Sequence, residues 1–162
     1  MELYRVLLSA LLCPAITVIG ATTATAVQMQ ATFQVTSSVP GTCSVTVAAM
    51  DFGAYHGKQI DQTGSIIVTC TKGAPYQIGL DNGPNYSAPN RRLKHHTTAD
   101  YLIYELYRDV ARTARWGNDD ASNVQMNGDG KAQHINVYGR MPAGQTGPLG
   151  SYSNTTTVTV NF

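Results

Sequence analysis

The stretch GSIIVTCTKGAPYQIGLDNGP, residues 64–84, reads as two strands back to back. Ile66, Val68 and Cys70 share one parity before Lys72-Gly73 breaks the run; Tyr76, Ile78 and Leu80 share one parity before Asn82-Gly83-Pro84 stops the second. Successive side chains on a strand point to opposite faces, so alternation with period two is what a strand with one buried face requires. Gly, Pro and Asn at the breaks supply the turn chemistry between such strands.

The same signal recurs on both sides. CSVTVAAMDFG (43–53) places Cys43, Val45 and Val47 on one face and ends in a turn at Asp51-Phe52-Gly53. YLIYELYRD (101–109) sets Leu102, Tyr104 and Leu106 opposite Tyr101, Ile103, Glu105 and Tyr107, apolar on both faces as in a central strand. RTARWGNDDASNVQMNGDGKAQ, rich in Gly, Asn and Asp, reads as an irregular excursion turning at Gly128-Asp129-Gly130. QHINVYGRMP (133–142) returns to strand with Ile135 and Val137 inward, and the chain closes on a strand in which Tyr152, Val158, Val160 and Phe162 share a parity. We therefore expect an all-β chain of about six core strands plus an opening segment, the size of an immunoglobulin-like sandwich.

The first 26 residues stand apart. Arg5 and the amino terminus form a positive end, Val6 to Gly20 an apolar run, and Ala24-Thr25-Ala26 the small-residue pattern of a cleavage site, with Glu2 and Pro14 as departures. The run is shorter than the ~20 apolar residues that span a bilayer. Leu12 is bulky where a lipidated Cys13 wants a small neighbour. Residues 1–26 are expected to be a secretory signal peptide, leaving Val27 first. Without Arg5 and Glu2 the remainder carries ten Lys plus Arg and nine Asp plus Glu, too balanced to imply a nucleic-acid partner. Arg91-Arg92, the one adjacent basic pair, reads as a solvated loop. Cys43 and Cys70 are the two cysteines left in an exported chain, and a disulfide is the default reading. It would constrain the unfolded chain by about 3.5 kcal/mol in the loop-entropy picture.

VQMQATFQVT (27–36) alternates Val27, Met29, Ala31, Phe33 and Val35 with Gln and Thr. Period two says only that this strand is half buried: its apolar row fills its own sandwich or another's. Four stretches bear on the choice. GTCSVTV followed by DFGAY, then GSIIVTCTKGAPYQIGLDNG, then YELYRDVARTARWG with its Tyr-Arg-Asp-x-Ala-Arg-Thr core, and finally VYGRMPAGQT with GSYSNTTTVTVNF resemble, in order and spacing, the spore coat protein U domain family. That family includes the subunits of archaic (Csu-type) chaperone-usher pili.

The resemblance implies an incomplete immunoglobulin-like β-sandwich over residues 37–162, completed by a donor strand. Residues 27–36 would be that strand, given to a neighbour. Val158, Val160 and Phe162 of the C-terminal strand would border the acceptor groove, and the abrupt end at Phe162 agrees with an unfinished sheet. The implied partners are identical or homologous subunits joined head to tail, a periplasmic chaperone and an outer-membrane usher. The implied setting is a surface pilus supporting adhesion and biofilm formation. A coat protein of the spore coat U kind and a self-contained secreted adhesin are the competing readings.

No enzyme is expected. Ser65, Ser87 and Ser151 lie in no nucleophile turn, and Glu105 reads as a solvent-facing strand residue. No metal or cofactor is expected either: His95-His96 would face opposite ways, and Asp119-Asp120 with Asn127 to Gly130 lacks the spacing and closing glutamate of a calcium loop. Trp116 reads as a core or loop anchor in preference to a ligand patch with Tyr107 and Arg115. Arg108, Asp109 and Arg112 read as an ion pair holding the loop after the central strand. Asn85-Tyr86-Ser87 and Asn154-Thr155-Thr156 fit a glycosylation pattern too common by chance to use.

Overall fold

A computed structural model describes residues 26–162. The signal-peptide expectation lies outside the described residues except at Ala26, and so does Cys13. The chain divides after Ser37 into two units. Of the first, residues 26–37 carry no regular secondary structure and are exposed throughout.

The second unit, Ser38–Phe162, holds nine strands and no helix among the described residues. They are β1 (Cys43–Val47), β2 (Ile60–Cys70), β3 (Pro75–Leu80), β4 (Arg91–His95), β5 (Tyr101–Tyr107), β6 (Val124–Asn127), β7 (Ala132–Met141), β8 (Tyr152–Ser153) and β9 (Val158–Asn161). One sheet runs β1-β2-β7-β5-β4-β8 and the other β6-β3-β9. The two form an immunoglobulin-like all-β sandwich, every pairing antiparallel.

Alternation builds the core as the sequence predicts. Ile66, Val68 and Cys70 of β2, Ile135 and Val137 of β7, and Leu102, Tyr104 and Leu106 of β5 face Tyr76, Ile78 and Leu80 of β3, all buried. Each fully buried aliphatic side chain contributes roughly 1.5 to 3 kcal/mol relative to an exposed one. Trp116 is fully buried and donates from Nε1 to the Ile78 carbonyl at 2.9 Å, so it anchors the excursion after β5 to the core. Cys43 and Cys70 face each other in the β1–β2 register and are joined by a disulfide.

Three expectations are corrected. The excursion holds β6, which pairs with β3, because Val124 and Met126 keep one parity toward the core between polar neighbours. Arg91-Arg92 is strand, not solvated loop: Arg91 is fully buried, while Arg92 lies 4.2 Å from the centre of the Tyr101 ring. Glu105 is no solvent-facing residue. Its carboxylate lies between Arg91, an ion pair to Oε1, and Arg115, whose Nε is 2.6 Å from Oε2. Arg91 spends its remaining donors on the carbonyls of Leu80, Asp81 and Trp116, tying β4 to the end of β3 in the opposite sheet. A buried guanidinium is tolerable only when paired and hydrogen-bonded, and this one is both.

The loop after β5 differs too. Asp109 pairs with neither arginine; it accepts from the N–H groups of Ala114 and Thr113, and these bonds hold its carboxyl below the usual range. Arg112, at φ 56°, reaches the carbonyls of Gly139 and Gln62. Asp61 takes the ion pairs, with Arg140 at 2.7 Å and Arg112 at 3.6 Å, and the Arg140 hydrogen bond leads in lowering its pKa.

Candidate functional site

Between the sheets lies an open seam of about 1240 Å³. One wall is Val47 with the segment 48–57; the other runs from Gln145 to Thr156 and on to Val158. Its floor is core: Ile66, Leu102, Tyr104, Leu106 and Val137 of the larger sheet, and Leu80 of the smaller.

Local chemistry fixes both walls. Asp51 Oδ1 accepts from the Gly53 N–H at 2.8 Å, the expected turn, with Gly53 at φ 73°. Beyond it the Tyr55 hydroxyl donates to the Pro142 carbonyl at 2.7 Å and accepts from the Gln145 N–H at 3.0 Å. Phe52 lies 6.0 Å from Tyr104, and a Cβ on Gly139 would stand 2.5 Å from Met50 Sδ and 2.8 Å from Phe52 Cζ. Glycine there is what lets the wall lie flat on the sheet. On the far side Asn154 Nδ2 donates to the Tyr104 hydroxyl at 2.9 Å, and the Thr157 N–H donates to Asp81 Oδ1 at 2.8 Å.

The seam's edges are incomplete in a specific way. Among the described residues β1 pairs with β2 alone and β9 with β3 alone, so each presents one unpaired row of backbone groups there. Val45 and Val47 stand opposite Val68 and Ile66 in register and therefore share their inward face, yet they are 42% and 50% exposed. Alternation identified that face without showing that nothing in its own unit covers it.

The residues named from sequence divide three ways. Val27, Met29, Phe33 and Val35 are 80% or more exposed, and Ala31 is exposed with them. Val158 lines the seam and Val160 packs on the core from the same strand. Phe162 departs from expectation: it is 63% exposed and borders a separate hollow beside Tyr76 and Met126, because β9 ends at Asn161 and leaves the last side chain beyond the pairing with β3. Among the described residues no three His, Cys, Asp or Glu side chains converge on one point; His95 is buried and His96 exposed.

Among the described residues the seam lining carries one carboxylate, Asp51, already engaged in its turn, and no Lys, Arg or Glu. Such a surface is suited to receiving an extended apolar segment: pockets take alternate side chains and free strand edges take its backbone. The fold and site define an immunoglobulin-like β-sandwich protein with an open seam between its sheets. The chain belongs to the Spore Coat Protein U domain family, whose model matches residues 29–159. It is similar to Protein U of Myxococcus xanthus, 33% identical over 144 residues, with 78% of this chain and 80% of that protein covered. Among solved structures it is similar in fold to a chain of the CsuC–CsuE chaperone–tip adhesion subunit pre-assembly complex from archaic chaperone-usher Csu pili of Acinetobacter baumannii, with TM-score 0.59 and 23% identity. That match takes in 76% of this chain and spans 40% of the other.

Proposed function

We propose that the chain is a structural subunit of an exported surface fibre, in which residues 27–36 of one copy fill the seam of the next. One observation carries the reading: an exposed period-two apolar row sits in the same chain as a seam on whose rim Val47 of β1, an inward-facing residue, is half exposed. Ten extended residues reach ~33 Å, the length scale of a sandwich edge. Burying Met29, Phe33 and Val35 would each contribute roughly 1.5 to 3 kcal/mol. Residues 26–42 hold no charged side chain, which matches a lining with a single carboxylate.

A seam with an apolar floor and two free strand edges is an aggregation hazard unless covered during export. By its likeness in fold to a chaperone–subunit complex, we assign the cover to a periplasmic chaperone and the exchange for the next subunit to an outer-membrane usher. Adhesion and biofilm formation are the roles such a fibre would serve. Likeness to Protein U supports a second reading, a protective coat built of the same domain. Deleting residues 27–36 tests the strand itself. The wild-type chain, exported with a chaperone and usher, should give a ladder of oligomers that survives detergent without heating, and the deletion should leave single subunits. A ladder from the deleted chain would refute the reading.

A further inference from the structure

One stretch of the seam's rim is built more rigidly than covering a surface requires. Leu149 is 102% exposed, the most open of the large apolar side chains among the described residues, yet the loop that carries it, Gly147–Gly150, is held from behind at two points. His95, buried on β4, accepts at Nδ1 from the N–H groups of Thr97 and Thr98 at 3.2 and 3.1 Å. That network places its proton on Nε2, which faces the Leu149 carbonyl at 3.3 Å. The Tyr152 hydroxyl donates to the Pro148 carbonyl at 2.9 Å, and its ring packs edge-on against His95 with centroids 4.8 Å apart.

Both glycines lie close against the side chains that hold the loop. A Cβ on Gly147 would stand 2.4 Å from the Tyr152 oxygen, and one on Gly150 2.1 Å from His95 Nε2. Gly150 also adopts φ 152°, a conformation L side chains rarely take. A single exposed leucine needs no explanation by itself. A leucine whose backbone is fixed on the rim of a seam with an apolar floor does, since a fixed loop loses little entropy when a partner arrives.

We propose that Gly147–Gly150 is a preset clamp on the seam, with Leu149 closing on the apolar row of residues 27–36 from a second copy. This rests on the fibre-subunit reading. The occupant follows from charge and shape: the incoming segment is uncharged and alternates apolar side chains, and the seam beside the clamp is lined by Leu102 and Tyr152. His95 and Tyr152 are positioning residues, acting through the loop they hold.

The test uses a fluorescent peptide with the sequence of residues 27–36 and the purified exported chain, as wild type, Leu149→Ser and Leu149→Met. Because Leu149 is fully exposed, both variants should melt with the wild type. The peptide should bind wild type; Leu149→Ser should weaken binding about tenfold, chiefly through faster release, and Leu149→Met should stay within about twofold. Equal binding by Leu149→Ser overturns the clamp and leaves strand filling intact. A wild-type chain that does not bind the peptide overturns the fibre-subunit reading and the clamp together.

Discussion

Arg91 and Glu105 show how one pair of side chains holds two sheets. Arg91 is fully buried, touches Glu105, and binds carbonyls at the end of β3 and at Trp116. Glu105→Ala removes the charge that balances it and leaves a cation in the core, a change that typically costs about 3 to 5 kcal/mol. Chemical denaturation of the purified variant should show that loss. Arg91→Met combined with Glu105→Leu should lose less than Glu105→Ala, because no charge is then stranded. A Glu105→Ala chain with unchanged stability would mean the pair carries none of the sheet-to-sheet attachment.

At the scale of strands, β2, β3, β5 and β7 were legible because each alternates for at least five residues between clear turn signals. The inward residues they predict are the buried ones. β4 was not legible: Arg91-Arg92-Leu93-Lys94-His95 looks solvated, and only the environment of Arg91, supplied by β3, Glu105 and the Trp116 carbonyl, makes an inward arginine stable. β6 was hidden in a polar stretch since four residues are too few for a period to stand out, and its existence depends on pairing with β3. Val45 and Val47 of β1 were named correctly as one face, but exposure of that face is a tertiary fact with no local signal. Leu149 carries no local signal either: it stands between Pro148 and Gly150, and what fixes its loop is Tyr152 together with His95, the latter distant in sequence. Strand register makes its own prediction. Phe33→Asp would bury an unpaired carboxylate and should abolish the oligomer ladder, whereas Gln34→Asp, on the outward parity, should leave it. Equal ladders from both variants would show that parity in 27–36 does not set the alignment.

For the molecule as a whole, the proposed function makes the seam and residues 27–36 two halves of one interface carried on the same chain. Joining them between copies is heterologous, head to tail, and grows a filament unless the rotation closes. The Cys43–Cys70 bond ties the start of β1 to β2, so in the proposed fibre the rim that β1 lends to the seam keeps its place as a second copy's segment enters. The most direct measurement is a photo-crosslink from position 33, with Phe33→p-benzoylphenylalanine in chains mixed as isotopically heavy and light subunits before assembly. The account predicts crosslinks between heavy and light chains that map to seam residues such as Leu80, Leu106 and Val137. Crosslinks confined to chains of one mass, joining position 33 to the seam of its own chain, would contradict it.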